Sequence, residues 1–437
     1  MKKESIILFV AISFLILRNF PLCLLMPIWA HGDEIGHFDY ILKLNRGHLP
    51  QPTDYIESQL FLLHKVHYDT RYTTTSGYRI QSHEELGLAQ YSYEAHQPPL
   101  PYIVLSFFRK AMLFFNPPLL LQVKLLRIIS LLAVALGLIV IYLGLKAAKI
   151  QEVVFYIPLL IIPILVKDMF FSLNTDCFSF LFGSVVVAGA IRLFKEPCSA
   201  KNWLWLSLGT VLAMWTKIPN AFLLALWPVL VFLLWRKFPN KKVLKQALIF
   251  FLLVLLFSSP WYVYNLTRFS SPFESLSALP FPDVPTPERS LKALSHFFFG
   301  FLITLFHGEF VWNGSHFHFL SRLSEEILFN GIPIIFFLLG FTCIFFPYDK
   351  KHLFLFRFLI LGGGISLFAF CFAHFTVGGV PFSLARYAYG ALYLYIFVFT
   401  AGWKRLFSAK DSVLIIPLVG LFLYHVVYTY LLLIRVF

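Results

Sequence analysis

The chain has 437 residues, of which 59% are hydrophobic and only 13% are charged. Ordinary soluble domains carry roughly 25% charged residues, so a soluble globular protein, a disordered chain and a small disulfide scaffold are all excluded. The formal charge is +14, but the basic residues stand in short runs between apolar stretches: Lys2-Lys3, Arg236-Lys237, Lys241-Lys242, Lys350-Lys351 and Lys404-Arg405. That placement marks loops on the cytoplasmic side of a membrane, beside anionic headgroups, and gives no nucleic-acid surface.

A hydrocarbon core of about 30 Å takes about 20 apolar residues per crossing helix. The expected class is therefore all-α, a polytopic membrane protein in one transmembrane domain over 1–437, with about 11 transmembrane helices plus interfacial helices. The first crossing, about 6–29, follows Lys2-Lys3 and puts the N-terminus in the cytoplasm. The segment 28–118 reads as a first outer loop with interfacial helices. Within it, 98–118 is apolar but is cut by Arg109-Lys110. A charge at mid-bilayer costs at least about 2.5 kcal/mol, so this piece is expected to lie in the interface. If it crossed, Lys146 and Lys149 would fall outside, against the positive-inside rule.

Crossings then follow at about 120–145, 152–167, 177–194, 203–216, 218–235 and 246–263. A Pro-rich second outer loop region, 265–326, contains 296–312, which is placed at the interface or as a re-entrant piece by the same lysine argument. The last crossings are about 327–346, 353–375, 387–403 and 412–434. The five cysteines, Cys23, Cys177, Cys198, Cys343 and Cys371, have neither metal-ligand nor redox spacing.

The residues able to do chemistry gather at the outer ends of these helices. Asp33 and Glu34 are adjacent carboxylates just past the first crossing, and His37, four residues on from Asp33, shares a face with it if the segment is helical. An N-cap role for Asp33 is the plainer alternative. Glu94, His96 and Gln97 precede Pro98-Pro99, either lining a pocket or forming a headgroup-level turn. Asn174 and Asp176 open another helix, where an N-cap is again the simpler role. Lys217 follows an outward helix, and Arg386-Tyr387 begins a late one. Either cation could bind a phosphate, or a lipid headgroup without selectivity. No H-E-x-x-H, P-loop or G-x-S-x-G motif is present, so zinc protease, nucleotide-hydrolase and serine-hydrolase chemistry lack support.

These motifs and their order resemble the GT-C superfamily of membrane glycosyltransferases, nearest the bacterial aminoarabinose-transferase-like and mannosyltransferase-like branches. The resemblance is carried by Asp33-Glu34 with His37-Phe38-Asp39-Tyr40, Gly47-His48-Leu49-Pro50, Gln97-Pro98-Pro99-Leu100-Pro101-Tyr102, Asn174-Thr175-Asp176, Thr216-Lys217, Trp261-Tyr262-x-x-Asn265 and Arg386-Tyr387. This chain differs in having His31-Gly32 where many relatives carry a Pro, and Ala385 before Arg386 where close relatives have Gly.

The resemblance implies inverting transfer of a sugar from a polyprenyl-phosphate donor to a membrane lipid or cell-surface glycan, on the extracytoplasmic face of the cell membrane. It implies Asp33 as base with Glu34 beside it. Lys217, Arg386 and Tyr387 would hold the donor phosphate, and His37, Glu94, His96, Gln97, Asn174 and Asp176 would line the pocket. Mg2+ or Mn2+ is used in some branches, and Asp33 and Asp176 would be its ligands here. A transporter or flippase of a lipid-linked substrate remains open, as does a non-catalytic scaffold of the same fold. A transporter, however, should place its charges near the midplane.

Overall fold

The computed structural model describes residues 3–26, 28–29, 34–51, 53–60, 92–165, 172–269, 332–347, 350–377 and 385–407. Among these residues there is no strand. Twelve α-helices are described: α1 (Lys3–Leu25), α2 (Glu34–Asn45), α3 (Leu100–Leu113), α4 (Leu119–Ala147), α5 (Ile157–Leu165), α6 (Asp176–Leu193), α7 (Ala200–Met214), α8 (Leu226–Lys237), α9 (Lys241–Phe269), α10 (Ile332–Thr342), α11 (Leu353–Val377) and α12 (Leu392–Phe407). Short 3-10 segments stand at Tyr93–His96, Val153–Phe155, Ile218–Ala225 and Ala385–Ala391.

The side-chain pattern of the long helices is that of a membrane protein. In α1 the buried residues are Ala11, Phe14, Leu15, Arg18, Asn19, Leu22 and Cys23. This three-four spacing lays one stripe against α4 and α5. The other face turns Phe9, Ile16, Leu17 and Phe20 outward. In α9, likewise, Val243, Ala247, Val254, Trp261 and Asn265 point inward, whereas Leu248, Leu252, Leu255, Leu256 and Phe257 are exposed. A helix in water would hide those leucines; here both faces are apolar, as hydrocarbon requires. Five described stretches are long and apolar enough to cross a membrane: Lys3–Leu25, Leu119–Ala147, Asp176–Leu193, Ile218–Lys237 and Lys241–Arg268.

Several of the eleven expected crossings take other forms. The stretch 152–167 divides into the turn at Val153–Phe155 and the nine-residue α5, which has Pro163 inside it. The stretch 203–216 becomes the 15-residue α7, and 387–403 begins as a 3-10 segment before α12. Hydropathy counts apolar residues, but proline removes a backbone donor and interrupts the helical ladder. Residues 327–331 and 412–434 lie outside the described residues, as does 296–312. The helix α9 continues to Phe269, past the expected start of the second outer loop at 265, because Trp261, Tyr262 and Asn265 are buried in its last turns.

The interfacial assignment of 98–118 is compatible with α3. Its 14 residues extend about 21 Å, short of a 30 Å core. Tyr102, Leu105 and Ser106 are buried, while Ile103, Phe107 and Phe108 are exposed. The charge that argued against crossing is turned inward. Arg109 donates through Nε to Gln122 Oε1 at 2.9 Å and through Nη1 to Asn45 Oδ1 at 2.7 Å.

The helices α4, α6 and α7 pack side by side, and α10, α11 and α12 form a second group. The two groups meet where the 385–391 segment lies on α6. Glycine allows that meeting, because a Cβ built on Gly183 would overlap the Gly390 carbonyl.

Lysines and arginines collect at one end of this assembly. Lys195 Nζ donates to Ala147 O at 2.8 Å, Lys237 Nζ to Phe194 O at 3.0 Å, and Arg405 Nη1 to Phe346 O at 3.1 Å. Such cations complement the carbonyl ends of helices. Lys351 and His352 meet Glu152 at the same end, at 3.1 and 3.0 Å. Arg127, twenty residues before Ala147 on α4, lies roughly 30 Å from that end.

Candidate functional site

At the opposite end, α1 finishes and the chain turns into α2. Trp29 sits in this turn with a left-handed backbone, φ 62°. That conformation costs a bulky residue on the order of 1–2 kcal/mol, so something must hold it. Its N–H donates to Glu34 Oε2 at 2.8 Å, and its ring lies 5.7 Å from that of Phe38. Glu34 is fully buried. Arg127 Nε donates to Oε1 at 2.7 Å and Nη2 to Oε2 at 2.6 Å, while the Leu173 N–H reaches Oε1 at 2.9 Å. Arg127 Nη1 also donates to Met26 O at 2.7 Å. Glu34 thus acts as a strut joining four segments, with both oxygens engaged, rather than as an open acid beside Asp33. Asp33 itself lies outside the described residues.

The same end gathers four of the expected pocket residues. His37 Nδ1 and Tyr102 Oη are 2.8 Å apart, and Tyr102 donates to Glu94 Oε2 at 3.4 Å. His37 Nδ1 lies 3.8 Å from that same carboxylate oxygen. The Tyr40 and Tyr102 rings stack, with centroids 3.8 Å apart and planes 5° off parallel, and Tyr40 Oη reaches Gln97 O at 3.3 Å. Burial pushes the Tyr40 phenol well above its ordinary value, so it stays a neutral donor. Gln97 Nε2 contacts His96 Nε2 at 3.0 Å, and Asn265 Nδ2 of α9 donates to His96 O at 3.1 Å. His37, Glu94, His96 and Gln97 therefore form one polar cluster.

The 93–97 segment is held there by a buried ion pair. Lys43 Nζ donates to Asp39 Oδ2 at 2.7 Å and to Tyr55 O at 2.7 Å, and it also bonds Ser92. Asp39 in turn accepts from Ser92 Oγ and from the Glu57 N–H, the latter at 3.0 Å. Downstream of α2, Gly47 takes a positive φ of 78° and closes the helix, so the Gly47-His48-Leu49-Pro50 motif is a turn.

Asn174 caps α6: its Oδ1 accepts from the Asp176 N–H at 2.8 Å and from the Cys177 N–H at 3.3 Å. The N-cap alternative is thus realised at Asn174. Asp176 Oδ1 and Lys217 Nζ form a buried ion pair. Asn220, one turn beyond Lys217, bonds Ser179 Oγ of α6 at 3.0 Å and Ala213 O at 2.8 Å. The Leu100 N–H meets Trp215 O at 3.2 Å, which ties the Pro98-Pro99 entry of α3 to the turn carrying Lys217. Arg386 and Tyr387 lie on the 385–391 backbone that packs on α6 and on Ile218–Ala225; their side chains are outside the described residues.

A divalent metal fits the described part of this site poorly. Asp176 already carries the Lys217 ammonium, whose charge opposes a cation at the same carboxylate. Among the described residues no three His, Cys, Asp or Glu side chains are grouped to hold an ion.

Arg127 stands outside every sequence motif, and Tyr102 ends the Gln97-Pro98-Pro99-Leu100-Pro101-Tyr102 motif with no role assigned to it there. Arg127 had a usable signal, being a lone guanidinium deep in an apolar span where charge demands a partner. Asp39 and Lys43 were also readable as an i, i+4 pair.

No family model matches the chain, nor does any curated protein or solved structure.

Proposed function

We propose that the chain is a membrane glycosyltransferase of GT-C architecture, with about eleven crossings, that transfers a sugar from a polyprenyl phosphate to an acceptor outside the cell membrane. One observation carries this reading: segments from 34–45, 93–102, 172–176 and 215–220 meet at a single end of the helices, opposite the lysine-rich loops. Acid, base, cation and hydrogen-bonding groups at one membrane depth are what transfer between two membrane-borne substrates requires.

Asp33 is the base. It takes the proton of the acceptor hydroxyl while that oxygen attacks the anomeric carbon and the phosphate leaves from the other face, with inversion. Lys217 and Arg386 balance the charge that grows on the departing phosphate. Asp176 holds the Lys217 side chain in place through their buried ion pair until the donor arrives. A lipid-borne donor needs no nucleotide-binding domain.

The test uses the purified protein in lipid nanodiscs with polyprenyl-phosphate sugars and membrane extracts as acceptors. A sugar-bearing product seen by mass spectrometry, lost in Asp33→Asn at equal protein abundance, supports the reading. Unchanged transfer in Asp33→Asn removes Asp33 as base, and no product from any donor removes the reaction.

A further inference from the structure

Three buried polar groups where α9 meets the 93–97 segment have no hydrogen-bond partner among the described residues: Gln97 Oε1, Asn265 Oδ1 and Trp261 Nε1. Asn265 is 0% exposed, Trp261 4% and Gln97 7%. Folded proteins leave few such groups unpaired, because stranding one away from water is costly. The His96 carbonyl can only accept, so Asn265 turns Nδ2 to it at 3.1 Å and Oδ1 is left over. The Gln97 amide meets His96 Nε2 with one end, at 3.0 Å, so its other end is left over whichever way the group is turned. All three groups border one junction. Trp261 and Asn265 are four residues apart and share the face of α9 that meets the 93–97 segment. On its other side the Trp261 ring lies 6.3 Å from that of Trp215, two residues before Lys217. The junction thus runs from Gln97 to the turn that carries the phosphate-binding cation.

An indole N–H only donates and an amide oxygen only accepts, so the missing partner must do both. A hydroxyl does both at once, and a sugar ring carries several of them at fixed spacing. Small-molecule sites combine apolar and aromatic walls with a few placed polar groups. Here the walls are aromatic, with the Tyr264 ring 5.3 Å from Trp261 and Trp215 beyond it. None of the three unpaired groups is charged, so they offer no counter-ion to an ammonium or carboxylate on the sugar. We propose that Gln97, Asn265 and Trp261 form the subsite that reads the hydroxyls of the donor sugar, an uncharged hexose or pentose whose phosphate rests at Lys217. The inference rests on the glycosyl-transfer reading for its donor, a sugar on a lipid phosphate. Recognition of the hydroxyls requires no turnover.

Native mass spectrometry of the full chain, released from nanodiscs, reads lipid binding directly. The probes are one bare polyprenyl phosphate and the same lipid carrying glucose, mannose, arabinose or, as a charged arm, glucosamine. The wild type is expected to hold at least one uncharged sugar lipid about tenfold tighter than the bare lipid. Trp261→Phe keeps an aromatic ring and loses the unpaired N–H. It should remove most of that tenfold preference and leave bare-lipid binding unchanged. Its thermal midpoint should be equal or higher, because a stranded donor is gone. Gln97→Met should weaken the preference in the same way. No preference for any sugar lipid in the wild type, as water in place of sugar would give, overturns the inference. So does tightest binding of the glucosamine lipid, or an undiminished preference in both variants. Equal weakening of bare and sugar-bearing lipid in both variants marks a structural role and overturns it too. A wild type that keeps the preference but transfers no sugar overturns the reaction and leaves the subsite standing.

Discussion

Glu34 and Arg127, 93 residues apart in sequence, meet as a two-pronged fork, with Nε on Oε1 at 2.7 Å and Nη2 on Oε2 at 2.6 Å. Neither side chain is more than 1% exposed. Breaking such a pair from one side strands a charge at a cost of about 3–5 kcal/mol, whereas replacing both partners with apolar groups costs much less. Arg127→Met and Glu34→Gln should each lower the thermal midpoint in detergent strongly. The double variant Glu34→Met with Arg127→Met should be more stable than either single one. A double variant as weak as the sum of the two would show that the remaining backbone donors, not the charge, set the cost.

Lys217 makes a different prediction because its partner is an acid in a site, not a strut. Lys217→Gln keeps size and polarity but loses the charge. It should reduce sugar transfer about 100-fold and raise the KM for the lipid-phosphate donor, while leaving the acceptor KM alone. Steady-state kinetics with donor and acceptor varied in turn decide this; an effect confined to the acceptor would remove Lys217 from the phosphate.

Two glycines of the second helix group differ sharply in room. A Cβ on Gly402 of α12 would overlap Phe336 O of α10, whereas one on Gly362 of α11 meets nothing closer than Leu226 Cδ2 at 3.3 Å. Gly402→Ala should cost about 1–3 kcal/mol or more, and Gly362→Ala little. Thermal midpoints of the two purified variants give the comparison.

Asp54 gives a pH effect. Burial alone would push its carboxyl up, but the Gln51 N–H at 2.8 Å and His48 Nε2 at 2.6 Å outweigh it and hold it below its ordinary value. A carboxylate lowered by folding adds stability above its unfolded pKa and loses it as pH falls through the folded one. The gain is small, since Asp54 is partly exposed. Amide exchange at 48–54 should therefore quicken below about pH 4 and lose that pH dependence in Asp54→Asn.

The two ends can be told apart by labelling. Arg46 and Asn240 are both exposed, near the polar and lysine-rich ends respectively. In a background without reactive cysteine, Arg46→Cys should react with an impermeant maleimide on intact cells and Asn240→Cys only after lysis. The reverse pattern would put the proposed site in the cytoplasm.

Much of this architecture is written in local sequence. Apolar length marks α1, α4 and α9, and α3, which carries Arg109-Lys110, is shorter than any of them. Polar residues at helix mouths brought His37, Glu94, His96 and Gln97 into one candidate pocket, where the structure also groups them. What stayed hidden depends on distant partners. Glu34 reads locally as the companion of Asp33, because nothing nearby reveals that Arg127 and the Leu173 N–H take its oxygens. Tyr102 looks like one more interfacial aromatic until His37 and Glu94 are seen on either side of its hydroxyl. The apolar run after Glu152 breaks at Tyr156, where Pro158 opens the next helix, and composition alone does not show that break.

The Asp39–Lys43 pair has one more consequence. Lys43 grips both Tyr55 O and Ser92, and the Ser92 N–H closes on Asp54 O at 2.7 Å. The chain therefore leaves and rejoins this region through a single pinned neck. One ammonium thus clamps two stretches that lie far apart in the chain, and Lys43→Met should loosen the 53–60 and 92–97 segments together rather than one at a time.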